Sequence, residues 1–196
     1  VPVGPILLVL QAWQMMFPLG NPPEYEPAPE ASLQAMSKNE GRPALEIAFD
    51  LMMENDGKGM IYLPLLGYAN GDLEAIREMM MHPQSVFSLS DGGAHCGLIA
   101  DASMPTYLLT HWVRDRSRGE RIDLETIVEQ QTRNTARFYG FEDRGTIEPG
   151  MLADVNIIDF DGLHIHPPTM VYDLPAGGNR LIQQVDGYRY TIKRGE

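Results

Sequence analysis

Cysteine is nearly missing: Cys96 is the single one in 196 residues. No intrachain disulfide can form, so nothing points to an oxidising compartment, and stability has to come from an apolar core. Positive charge is scarce as well. Fifteen Lys and Arg face 27 Asp and Glu, for a net charge of −12. Phosphate backbones and anionic lipid surfaces call for clustered cations, so this balance argues against nucleic acid and membrane as partners. Long unbroken apolar runs are absent too. The nearest approach, "VPVGPILLVLQAWQMMFPLG", lacks a basic leader and is interrupted by Pro2, Pro5, Gln11 and Gln14. It suits neither a signal peptide nor a membrane span, and a cytoplasmic location is expected. Val1 to Leu10 read as a buried strand whose partners lie upstream.

What is present is ordinary for a globular protein: 43% apolar and 21% charged residues. The stretch "GNPPEYEPAPE" carries four prolines and three glutamates, which excludes a regular helix or a central strand. Helical patterns follow in "EASLQAMSKNEG" and "RPALEIAFDLMMENDG". In the second, Pro43 suits the first turn, Gly57 suits the stop, and Ala44, Ile47, Ala48, Leu51 and Met52 share a face. "GMIYLPLLG" reads as a strand, "GDLEAIREMMMHP" as a helix capped by Asn70, and "SVFSLS" as a second strand. Strand, helix and strand in that order predict a parallel βαβ unit. Further helices are expected in "MPTYLLTHWVRDR", in "LETIVEQQT" behind Asp123, and in "NTARFYG" up to Gly140. Beyond Gly140 the pattern turns to strands: "GTIEPGMLADVNIIDFDG" as strand, turn, strand, and "RLIQQVDGYRYTIKRGE" as a hairpin turning at Asp186-Gly187. The fold class is therefore α/β, with a β-rich tail. The methionine clusters at 15–16, 52–53 and 79–81 read as core filler.

In parallel α/β sheets ligands gather where strands hand over to loops. Asp91 stands at such a place, after "SVFSLS", with Gly92 and Gly93 allowing a sharp turn and close approach of a ligand. A carboxylate there can ligate a metal or serve as a base, although an Asp-Gly pair after a strand also makes a plain turn. His95 is either a functional group or a loop histidine bonded to backbone. Cys96 reads as a small packing residue. His82 and His111 read as structural. His164 and His166 form H-x-H on one side of a strand, a conceivable metal pair in the β-rich tail. Ser88 and Ser90 lack the G-x-S-x-G elbow, and no P-loop or dinucleotide fingerprint occurs.

"SVFSLSDGGAH", followed downstream by "DRGTIEPGMLADVNIIDFDGL", resembles the carboxyl-terminal part of an amidohydrolase-superfamily enzyme. The closer likeness is to the N-acyl-D-amino-acid deacylase (D-aminoacylase-like) branch. "SLSDGGAH" resembles that family's eighth-strand aspartate motif, and "DLPAGGNRLIQQVDGYRYTIKRGE" resembles the closing strands of its small sandwich. The resemblance implies the end of a (β/α)8 barrel over residues 1–140 and part of a β-sandwich over 141–196. It also implies zinc, as one or two divalent ions in the complete enzyme, absent or partial in this chain, because the family's H-x-H and later histidines have no counterpart here. Asp91 carries over as the base that takes the proton of water and hands it to the leaving amine. It is also a candidate ligand. The family's His-Pro-Arg stretch is replaced by "ADASMPTYLLTHW", without the arginine, which leaves His95, Gly93 and Ser103 as candidate substrate contacts.

The expected activity is metal-dependent hydrolysis of linear amide (C–N, non-peptide) bonds in a small N-acyl amino acid or related amide. One alternative is a cyclic amidohydrolase of the dihydropyrimidinase or dihydroorotase type. The other is a truncated, non-catalytic module that associates with itself through an open barrel edge, as a homo-oligomer.

Overall fold

The structure is a computed structural model that describes residues 12–87, 90, 92 and 95–196. The strand expected over Val1 to Leu10 lies outside the described residues. The chain divides into two compact units between Arg77 and Glu78.

The first unit is assembled from short elements. Strand β1 (Phe17–Pro18) follows a 3-10 turn, and the proline-rich stretch leads to a second 3-10 turn at Pro29–Ala31. Helix α1 (Leu33–Glu40) begins where the Ser32 hydroxyl accepts the Ala35 N–H at 3.3 Å and stops at Gly41 in the left-handed region. Helix α2 (Ala44–Gly57) starts behind Pro43, which occupies the cap position. Ile47 and Ala48 are buried with Met16 and Leu33, and Trp13, Met36, Ala44, Leu51, Ile61 and Leu63 pack around them. Met52, expected on this face, points outward. It is 45% exposed although it stands one turn beyond Ala48 on the same side of the helix, and Met53, further round, is 56% exposed. Met79 and Met81 are exposed as well, so Met16 is the methionine of the clusters that fills this core.

Regular helical geometry in α2 fails at Glu54, and Asn55, Asp56 and Gly57 all take positive φ. Asn, Asp and Gly tolerate that region best. Strand β2 (Ile61–Tyr62) then pairs antiparallel with β1, Phe17 opposite Tyr62 and Pro18 opposite Ile61. Among the described residues the expected parallel βαβ unit does not form. Pro64 removes a ladder donor just past β2. Ser85–Phe87 carry no strand either: the Ser85 N–H donates to His82 C=O and its hydroxyl to Met79 C=O, wrapping the chain onto the helix end. Helix α3 (Glu74–Met81) is capped at Asp72, whose carboxylate accepts the Glu74 N–H at 3.0 Å, in place of the expected Asn70. Glu26, 1% exposed, accepts the Leu73 N–H at 2.9 Å, which gives the proline-rich stretch a structural task.

In the second unit α4 (Met104–Tyr107) runs into π-helical turns over Leu108–Asp115. Helix α5 (Leu124–Glu129) continues through a π stretch at Gln130–Asn134 into α6 (Thr135–Phe138), and Gly140 with positive φ ends it. Leu109, Trp112, Ile127 and Leu163 are buried. Arg116 is buried too, its guanidinium stacked 4.6 Å from the Trp112 ring, and Arg114 donates to the carbonyls of Phe160 and Leu163. The Arg114 contacts bind this helical segment to the connection between residues 158 and 164.

Those strands are β3 (Val155–Ile158), β4 (His164–Ile165), β5 (Thr169–Leu174), β6 (Gly178–Ile182), β7 (Val185–Asp186) and β8 (Tyr188–Ile192). They pair antiparallel as β3–β8, β4–β7 and β5–β6. Asp186-Gly187 is thus not a hairpin turn. It is where one extended run stops pairing with β4 and starts pairing with β3. A Cβ on Gly187 would lie 2.8 Å from Leu163 Cα, so glycine is required by the close backbone approach. The tight hairpin is β5–β6, turned by Pro175–Gly177 with Ala176 and Gly177 at positive φ. Helix and strand are mixed, as the α/β class predicts. Among the described residues the strands form antiparallel pairs and no closed barrel. No described helix is long and apolar enough to cross a membrane.

Candidate functional site

Asp91 and Gly93 lie outside the described residues; Phe87 and Ser90 before them and the chain from His95 onward are described. On the upstream side the Phe87 carbonyl accepts the Thr135 hydroxyl of α6 at 3.5 Å, a bond that this hydroxyl shares with Gln130 C=O. On the downstream side His95 is exposed, with φ +47, a left-handed conformation rare for a histidine. Its carbonyl accepts the N–H groups of Leu98 and Ile99 at 2.7 and 3.0 Å, which curls the chain into a turn. A Cβ on Gly92 would sit 3.7 Å from the Ala102 side chain, so Gly92 and Ala102 are close neighbours.

Cys96 and Ser103 face the β-rich part of the unit. The Cys96 carbonyl accepts the Leu181 N–H of β6 at 2.6 Å, and its thiol lies 3.9 Å from the Asn179 carbonyl. The Ser103 hydroxyl, at 9% exposure, donates to the Gln183 side-chain carbonyl. One helical turn on, the hydroxyls of Thr106 and Tyr188 are 2.9 Å apart. The structure therefore brings Cys96, Ser103 and β6 together, with His95 on the open side of the turn. Electrostatically, the Arg180 guanidinium of β6 is held above its ordinary value by the Asp173 carboxylate, with a smaller contribution from Cys96.

His164 and His166 do share a side, as their spacing predicts. Their rings stand 4.7 Å apart at 89°, and His166 Nε2 is 2.7 Å from Asp186 Oδ2. Among the described residues no three His, Cys, Asp or Glu side chains are arranged to hold a metal ion. The described part of the chain therefore does not fit a zinc site. His111 stacks on Tyr107 at 4.6 Å within the π-helical turns, and His82 Nδ1 accepts the Gln84 N–H at 3.2 Å. Each contact is local, within four residues of its histidine. Sequence reasoning passed over Gln183 and Asn179, because partners some 80 residues apart leave no local pattern.

The profile of the Amidohydrolase family matches residues 18–196. The chain belongs to the amidohydrolase family. Among curated relatives, a dihydroorotase of Desulforapulum autotrophicum is 43% identical over 51 residues, covering 26% of this chain and 12% of that protein. An adenine deaminase of Desulfatibacillum aliphaticivorans is 29% identical over 102 residues, covering 41% of this chain and 17% of that protein. The chain thus matches less than a fifth of the length of either relative. No solved structure gives a significant match.

Proposed function

We propose that this amidohydrolase-family chain contributes to hydrolysis of a linear amide C–N bond in an N-acyl amino acid, with Asp91 as proton carrier. The observation that carries the reading is the family match over residues 18–196, which takes in the "SLSDGGAH" segment. In this reading water adds to the amide carbonyl, the Asp91 carboxylate accepts the proton that water gives up, and the same carboxyl returns it to nitrogen as the C–N bond breaks. The products are a carboxylic acid and an amine. His95, exposed at the mouth of the turn, contacts the substrate together with Gly93. The Ser103 hydroxyl, already engaged with Gln183, supports the turn from behind. Zinc dependence and a barrel over 1–140 with a sandwich over 141–196 belong to this proposal; no step is derived through a metal.

Cyclic amide hydrolysis is the second reading, favoured by the 43% identity to a dihydroorotase. Turnover of N-acyl-D-amino acids against cyclic ureides by the natural protein separates the two. Asp91→Asn is expected to lower turnover by about 10²–10⁴-fold while circular dichroism and the thermal midpoint stay put. Normal turnover in that variant rejects the role.

A further inference from the structure

The turn that leaves the Asp91 motif is held by residues far along the chain. Cys96 C=O takes the Leu181 N–H, and Ser103 Oγ donates to Gln183 Oε1, so both ends of the Cys96–Ser103 segment are tied to β6 and the residues that follow it. Gln183 is used at both ends of its amide. While Oε1 accepts from Ser103, Nε2 donates to the His166 carbonyl at 2.8 Å. The His166 N–H in turn donates to Gln184 C=O at 3.0 Å. One side chain thus couples the turn after the motif to the chain just past the H-x-H strand. Leaving such partly buried groups unpaired is costly, so the link is strongly favoured once formed.

We propose that Gln183 is a positioning residue: through Ser103 it fixes the Cys96–Ser103 segment, whose Ala102 lies against Gly92, the residue that follows Asp91 in the chain. The inference rests on the hydrolase reading above. A carboxylate that shuttles a proton works only when held within a fraction of an ångström of its productive place, and a loop needs outside support to achieve that. Gln183 touches no reacting atom; it acts by removing freedom from the turn. Both a donor and an acceptor are required. Gln183→Glu keeps the acceptor for Ser103 and loses the donor to His166, whereas Gln183→Met keeps the shape and loses both.

The test uses the natural protein and these two variants, with turnover of an N-acyl amino acid and amide hydrogen exchange as readouts. Gln183→Met is expected to speed exchange at Leu98 and Ile99 and to lower kcat by about tenfold or more with KM little changed, and Gln183→Glu to recover part of both. Should Gln183→Met fail to fold, Ser103→Ala removes the same contact from the other side and must give the same split. Unchanged exchange, unchanged kcat, or a kcat loss that merely follows loss of folded protein overturns the proposal. Absence of turnover in the unaltered protein ends the hydrolase reading and this role with it. Turnover in the unaltered protein that the variants leave intact ends this role alone.

Discussion

Gly59 has no left-handed φ, yet a larger residue has no place there. A Cβ would meet the Leu51 carbonyl oxygen at 1.8 Å, where the chain folds back on α2. The neighbour is backbone, so it cannot swing aside. Gly187 combines two demands, φ +103 and a Cβ contact of 2.8 Å with Leu163 Cα. Gly140 carries φ +76 alone, with open space around it. Alanine at Gly140 should therefore cost about 1–2 kcal/mol of backbone strain. Alanine at Gly187 should cost more, by a further 1–3 kcal/mol or so of overpacking. Urea unfolding of the two variants checks the order, and equal losses would contradict it. Asp91 and Gln183 belong to this scale as well, each tested by its own substitution above.

At the scale of elements, short helices with few intrinsic contacts depend on their ends and on one buried stripe. Helix α1 has both in adjacent residues: the Ser32 cap and the fully buried Leu33. Ser32→Ala is expected to cost about 1 kcal/mol. Leu33→Ala should cost about 2–5 kcal/mol, since it opens a cavity beside Met16, Ile47 and Ala48. Denaturation midpoints of the two variants test the ratio, and a Leu33→Ala loss no larger than that of Ser32→Ala would show that the cluster is not the core of this unit. Much of each helix is visible in the sequence. The Ser32 cap, the Gly41 stop and the Ile47–Ala48 stripe follow local rules. The fate of Met52 does not, because its exposure depends on which neighbours α2 meets. The described start of "SVFSLS", Ser85–Phe87, is not a strand for a related reason: hydrogen bonds from Ser85 to the end of α3 compete with extension.

For the molecule as a whole, acidity and arginine pairing set the response to pH. Arg144, Arg189 and Arg180 hydrogen-bond the carboxylates of Asp143, Asp159 and Asp173 and hold each below the ordinary carboxylate range. Each pair adds stability that is fully present above the unfolded Asp value of about 3.9 and is lost as pH falls through the lowered folded value. All three pairs are exposed, so the effect of each is small. The thermal midpoint should hold from about pH 7 to about pH 5 and then drop. Arg144→Gln, Arg180→Gln and Arg189→Gln together should flatten that drop, and an unchanged acid slope would show that other groups govern it.

Composition and local pattern determined the acidic charge, the helices, the β-rich tail, and the family that the "SLSDGGAH" and "GTIEPGMLADVNIID" segments announce. These depend on neighbours within a few residues, which a sequence displays directly. Tertiary structure decided strand partners and the support of the candidate site. Asp186-Gly187 looks like a hairpin turn in isolation, but Leu163 and the pairing with β4 and β3 make it a crossing point. Gln183 looks like any polar residue near a strand until Ser103 and His166 arrive at the two ends of its amide. Pairing of that kind is settled by which distant segments gain most from burying their backbone against one another.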